Sequence, residues 1–268
     1  EKEELQKYNS QFQGVRTISK LISPALAGIL MLKFNINSIF FINSASFLLL
    51  FLSILISYIP DQEHKENSND DIKEIFVGFK ENFTNIKLRI SLLFTIVVNI
   101  AMLGFNATII FYLQDQLKLS NSLVGIVYSI AGFGSLIAVT LLSTFLNKKD
   151  TFILMNISMA TIPLVIMASG IVENWIFFGI CYSILSGLIT IASVSITTIQ
   201  QQESTEYNIG KILSSSFVIA TIFAPFGGIL AAYFNWLLNP RLSLVILGLL
   251  SSLLVILIKS YEKKIKGR

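Results

Sequence analysis

Charge is scarce in this chain. Only 13% of its 268 residues are Asp, Glu, Lys or Arg, against about 25% in an average soluble domain. Histidine and cysteine are rarer still: there is one of each, His64 and Cys181. A single cysteine excludes an intrachain disulfide, and no ligand spacing surrounds it, so no metal site is expected. Cys181 lies within an apolar block and reads as a small buried apolar residue. His64 falls in a polar loop and reads as solvated. The sequence offers no Ser/His/Asp set, no carboxylate pair and no phosphate-cradling glycine loop. No residue is therefore assigned a catalytic role, and an enzyme is not expected. The net charge of +4 could suggest a nucleic-acid partner, but the placement of the basic residues gives it another meaning, and no nucleic acid is expected.

What is abundant is apolar sequence in long blocks. Hydrophobic residues make up 53% of the chain, and the mean hydropathy is +0.71. A block of about 20 residues matches the ~30 Å hydrocarbon core of a bilayer. Such blocks cross it as helices, because every backbone polar group must be satisfied internally. The fold class is therefore all-α: a polytopic membrane protein with the bilayer as its first partner. Two spans come first, about Ile18–Phe34 and Ser38–Ile59. Six follow: about Ile90–Leu113, Leu123–Leu146, Phe152–Ile171, Trp175–Ile199, Ile212–Tyr233 and Leu242–Ile258. Between the two sets runs the charged stretch Asp61–Arg89. The chain thus divides into residues 1–60, a central loop at 61–89, and a six-span unit at 90–268.

Charge then orients the spans. If residue 1 is cytoplasmic and the sides alternate, only Lys33, Lys118 and Arg241 of the twenty basic residues fall outside. The positive-inside rule favours this arrangement, with both termini cytoplasmic. The basic excess is a topology signal, with added attraction of the C-terminal tail for anionic lipid. Within the central loop, Ile72, Ile75, Phe76, Phe79 and Phe83 share one helical face. Asp71 and Glu74 stand in capping-box register. An amphipathic helix over about Ile72–Asn82, lying in the membrane interface, is predicted.

None of the last six spans carries an ionisable residue at its middle, so this part holds no proton relay. Polar uncharged residues remain. Asn99 and Asn106, seven apart, share one face of the third span. Asn43, Tyr112, Tyr128, Asn156 and Tyr182 are further candidates. They can line a mostly apolar substrate cavity, or bond between helices. Gly125, Ser129, Gly132 and Gly134 form a small-residue strip suited to close helix packing. Two segments also echo each other. Tyr8-Asn9 precedes Pro24 and Gly28-Ile29-Leu30; Tyr207-Asn208 precedes Pro225 and Gly228-Ile229-Leu230. Six spans separate the copies, the period of two parallel six-helix repeats.

On these features the chain resembles the major facilitator superfamily of secondary transporters, in its macrolide-efflux-like and siderophore-exporter-like branch. Ser23-Pro24-Ala25-Leu26-Ala27-Gly28 looks like the antiporter motif of the family's fifth helix, with Ser23 in place of a glycine. Ala224-Pro225-Phe226-Gly227-Gly228 looks like its eleventh-helix counterpart. Phe76-Val77-Gly78-Phe79-Lys80 resembles the helix of the family's central loop. Asn147-Lys148-Lys149 occupies the loop between the eighth and ninth helices, where Ser143 replaces the glycine and Asn147 the acid of the family motif. The resemblance implies helices five to twelve of twelve, with the first four missing and residues 1–60 the remainder of an N-terminal half. It implies conformational roles for Ser23, Pro24, Gly28, Pro225, Gly227 and Gly228. It further implies export of a bulky, largely apolar small molecule by proton antiport in a bacterial inner membrane. The proton gradient would drive it without a cofactor, by a protein monomeric at full length. A non-transporting membrane fragment, or the same fold exporting siderophores or lysophospholipids, are the alternatives.

Overall fold

The computed structural model describes residues 36–56, 71–146, 149–205 and 207–266, together with positions 19, 30 and 34. The described residues form eight α-helices and no strand. They are α1 (Ile36–Ile56), α2 (Asp71–Thr84), α3 (Ile86–Phe111), α4 (Asn121–Thr144), α5 (Thr151–Ile171), α6 (Trp175–Gln202), α7 (Ile209–Leu237) and α8 (Pro240–Lys266). All but α2 are long and apolar enough to cross a membrane, giving seven candidate spans. The expected first span, about Ile18–Phe34, lies outside the described residues apart from the three isolated positions.

Local chemistry sets the helix starts. Asn85 caps α3, accepting hydrogen bonds from the Lys87 and Leu88 amides. Asp150 caps α5 by accepting from the Phe152 amide at 2.7 Å. Asn174 caps α6 through the Ile176 amide at 2.8 Å. Asn239 accepts from the Leu242 amide at 2.8 Å, just before Pro240 opens α8 at the position where a missing N–H costs nothing. Each side chain satisfies donors that the helix itself leaves unpaired. Helices α3, α6, α7 and α8 run beyond the apolar blocks read from the sequence, while α4 ends at Thr144, two residues short of its block. Nothing in the polar flanks breaks them, so α6 continues to Gln202 and α8 to Lys266. After α3 the chain does not enter a loop at Gln114; a π-helical turn, Tyr112–Gln116, prolongs it.

Helix α3 is the central post. Half of its most apolar window is buried, the largest share of any span. It packs against α7 and α8, while α4 pairs with α6, and α5 bridges α6 and α8. The core between them holds Phe94, Phe105, Ile109, Met155, Ile162, Phe178, Leu185 and Leu244. Helix α1 belongs to none of these packed pairs, and its apolar window buries nothing among the described residues.

Three crossings depend on a glycine. A Cβ on Gly227 of α7 would overlap the Ile100 carbonyl of α3. One on Gly134 of α4 would overlap the Ser183 carbonyl of α6, and one on Gly248 of α8 would lie 2.8 Å from the Pro163 carbonyl of α5. Helix backbones touch directly at these points, the contact that small residues permit in membranes. Of the small-residue strip on α4, Gly134 is the member buried at the crossing with α6.

The charged segments separate into two ends. Glu203, just past α6, pairs with Lys87 at 2.6 Å, and Arg89 stacks 5.3 Å from the Tyr261 ring centroid. At the other end Arg241 pairs with Glu173 at 2.5 Å. The alternation of sides inferred from charge is thus the alternation of ends in the bundle.

The crossings make a direct prediction. Gly134→Ala is expected to destabilise the bundle by about 1–3 kcal/mol, the usual cost of overpacking. Gly210→Ala, where a Cβ meets nothing within 4 Å, is expected to be neutral or stabilising by up to ~1 kcal/mol. Thermal unfolding of both variants in the same detergent compares them; equal melting temperatures would contradict the packing account.

Candidate functional site

The candidate polar residues separate once they are placed on helices. Asn99 and Asn106 fall on one face of α3, with Leu103 and Ile110 between and beyond them at helical spacing. Asn106, Leu103 and Ile110 are exposed, and Asn99 is half-buried. Two contacts border this face. On one side Ile100 and Gly104 meet Gly227 of α7. On the other, the Phe105 ring lies 5.1 Å from Tyr182 and 6.4 Å from Phe178, both on α6. The amide face is thus framed by α6 and α7 and turned away from α8, against which Gly104 packs through Leu247. Among the described residues neither amide has a hydrogen-bond partner.

Tyr128 of α4 extends the aromatic border, edge-on to Tyr182 at 5.6 Å. The pair is joined to α3 through Phe105, so Tyr128 and Tyr182 are brought beside the amide-bearing helix. Three other candidates go elsewhere. The Tyr112 ring is buried and its hydroxyl donates to the Val172 carbonyl, tying the end of α3 to the α5–α6 turn. Asn156 donates to the Phe152 carbonyl of its own helix at 2.8 Å. Asn43 is exposed on α1, apart from the packed pairs.

The motif residues on α7 also take distinct positions. Pro225 is exposed within the helix, where its ring removes one intrahelical bond and weakens the turn. Gly227 is buried in the crossing with α3, and a Cβ on Gly228 would lie 3.9 Å from Leu103 Cδ2. Pro225 therefore precedes the tightest point of the α3–α7 contact by two residues. Ser23, Pro24 and Gly28 lie outside the described residues.

Several polar positions escape a reading by pattern. Asn82 is fully buried and joins α2 to α7. It donates to the Ile212 carbonyl at 3.1 Å and to Ser215 Oγ at 2.8 Å, and accepts from Ser216 Oγ at 2.9 Å. Asn235 of α7 donates to Thr108 Oγ1 of α3 at 3.3 Å. The only signal for either in the sequence is an Asn near an apolar run, which does not say which partner it meets. At the end that holds Lys87, a cleft of about 250 Å³ opens beside Lys87, Asp150, Phe152 and Glu203. It lies roughly 18 Å along α3 from Asn99, twelve residues at ~1.5 Å each. Among the described residues no group of His, Cys, Asp and Glu could hold a metal ion.

The described residues form an all-helical bundle with seven helices long and apolar enough to cross a membrane, and the family match makes it a membrane transporter. The chain belongs to the Major Facilitator Superfamily: the model of that family matches residues 1–214. A comparison with curated proteins finds no match.

The Glu203 carboxyl is held below its ordinary range, first by the hydrogen bond from Lys87 and then by that from Asn85. A depressed carboxylate pKa stabilises the fold above its unfolded value, and the contribution is lost as pH falls through the folded one. Glu203→Gln is therefore expected to flatten the acid side of the stability profile and to leave the neutral range within about 1 kcal/mol, the scale of an exposed pair. Unfolding temperatures measured across acid and neutral pH test this; an unchanged acid limb would refute it.

Proposed function

We propose that this chain is the cargo-facing part of an exporter for bulky, largely apolar small molecules of macrolide-like character, driven by proton antiport. The observation that supports this reading is the α3 face: two amides without partners among the described residues, set among Leu103 and Ile110 and bordered by aromatic rings. Such a surface suits a neutral ligand that is mostly apolar and carries a few hydrogen-bonding groups. Helices α3, α4, α6 and α7 would form one wall of a midplane cavity, reached alternately from the two sides. Rocking would be accommodated at Pro225 of α7, next to the Gly227 crossing, in step with the motif Ser23, Pro24 and Gly28. In this reading the eight spans correspond to the fifth to twelfth helices of the superfamily plan. The protein sits in a bacterial inner membrane with both termini cytoplasmic, and works as a monomer at full length. The proton coupling groups are not among the last six spans, which carry no ionisable residue at their middle.

A second reading is favoured by one observation: the apolar window of α1 buries nothing among the described residues. A span that belongs to no packed pair among the described residues suits a non-transporting membrane fragment. Siderophores or lysophospholipids are the other cargo classes that the same wall would fit.

Three measurements separate these readings. Cells producing the full-length protein are expected to resist macrolides, and a protonophore is expected to abolish that resistance. Resistance indifferent to the proton gradient would reject antiport. Asn106→Leu is expected to reduce efflux by roughly tenfold or more, about the ~1.4 kcal/mol expected for a lost hydrogen bond to cargo, at unchanged protein abundance. Efflux from proteoliposomes holding only the 268-residue chain would reject the fragment reading.

A further inference from the structure

We infer that the cleft at the Lys87 end of the bundle binds a compact organic ammonium ion with an apolar body, at a site separate from the α3 amide face. Three helices meet there: the start of α3, the start of α5 and the end of α6 enclose about 250 Å³. Drug-sized pockets begin near ~300 Å³, so the site takes a small ligand. Its floor is apolar. Ile90 and Ile199 are buried core residues, while Phe152 and Ile86 add an aromatic and an aliphatic wall. Its rim is charged and carries Lys87, Asp150 and Glu203. A concave surface with an apolar floor and a few polar groups at one edge suits a molecule with one apolar and one polar end.

The chemistry of the rim selects the sign of the ligand's charge. Lys87 is already committed, since its ammonium donates to Glu203 Oε1 at 2.6 Å. Glu203 is committed as well, because Oε2 accepts from Asn85 Nδ2 at 3.1 Å. The first amides of α5 could otherwise draw an anion, but Asp150 covers them: its Oδ1 accepts from Phe152 at 2.7 Å and from Ile153 at 3.4 Å. The second oxygen of Asp150 has no partner among the described residues. Lys149 beside it is exposed and does not line the cleft. An ammonium ion can therefore bind Asp150 without breaking any of these bonds, whereas an anion must displace Asp150 or Glu203 to be satisfied. The ligand's apolar body then leaves water against Ile90, Ile199 and Phe152. Two sources present this chemistry, a free aralkylamine and the headgroup of an aminophospholipid, because the ends of membrane-spanning helices meet here. The site rests on the cleft alone and not on any assignment of cargo.

The test uses the whole 268-residue chain in phosphatidylcholine nanodiscs, with phenethylammonium as the probe and 2-phenylethanol as its neutral counterpart. Saturation-transfer NMR is expected to show saturable binding of the ammonium, roughly fivefold tighter than that of the alcohol. Asp150→Asn removes the charge and keeps a side chain that caps a helix equally well. It is expected to weaken the ammonium roughly fivefold, the scale of an exposed ion pair, and to leave the alcohol unchanged. Ile86→Trp narrows the cleft and is expected to weaken both compounds. Partition that does not saturate, equal affinity for ammonium and alcohol, or full-strength ammonium binding by Asp150→Asn would overturn the proposal. So would displacement of the probe by inorganic phosphate. Replacing phosphatidylcholine with phosphatidylethanolamine separates the two sources. A severalfold weaker apparent affinity for the probe supports the site with the lipid headgroup as its occupant, and an unchanged one supports it with a free amine.

Discussion

Direct contact between helix backbones is the constraint on which the rest of this bundle depends. Within a bilayer the hydrophobic effect does not drive one apolar helix against another, and association relies on close packing and interhelical hydrogen bonds. Here Gly227, Gly134 and Gly248 bring α7 to α3, α4 to α6 and α8 to α5 at carbonyl distance. Once these crossings are set, the aromatic core follows. Phe105 meets Phe178 and Tyr182 because α3 and α6 are each held by a second helix. Among the described residues the same crossings leave one side of α3 only partly covered, and that side carries Asn99 and Asn106.

Polar contacts complete this framework at the ends of the spans. The Asn82 clasp and the Lys87–Glu203 pair lie at one end, Arg241–Glu173 and the Tyr112–Val172 bond at the other. Each joins segments distant in sequence, and together they give the middle of the bundle little more than packing and two amides. The two termini of α7 are tied differently. Its first turns are bound to α2, and its last turns reach α3 through Asn235 and Thr108. Pro225 lies between these ties.

Most of the architecture was legible in the sequence. Apolar blocks placed the seven described spans, most ends to within about four residues and the last end eight residues short of Lys266, because a bilayer imposes both length and composition on whatever crosses it. The helix of the central loop was legible for another reason: its five apolar residues repeat at 3.6-residue spacing. Ends were less legible. Polar flanks are compatible with either helix or loop, so the extension of α6 to Gln202 and the π turn after Phe111 went unread. The site was legible only in part. The seven-residue spacing placed Asn99 and Asn106 on one face, since helical geometry alone decides that. It could not show that Tyr112 and Asn156 spend their donors on backbone carbonyls, which depends on tertiary neighbours. Nor could it show Asn82 at full burial: the partner lies 130 residues away, and an Asn beside apolar residues does not announce whom it meets.

The two amides also set a length. Seven residues of α3 separate them, about 10.5 Å along the helix axis, with Leu103 exposed in the gap. A molecule engaging only one leaves the other unsatisfied against an apolar body, and that cost grows as water is excluded. A molecule satisfying both needs hydrogen-bonding groups roughly a nanometre apart and an apolar skeleton between them. In the proposed exporter, helix α3 would be a gauge: the spacing of its side chains would make small apolar solutes poor fits and favour extended amphiphilic ones, whatever closes over them.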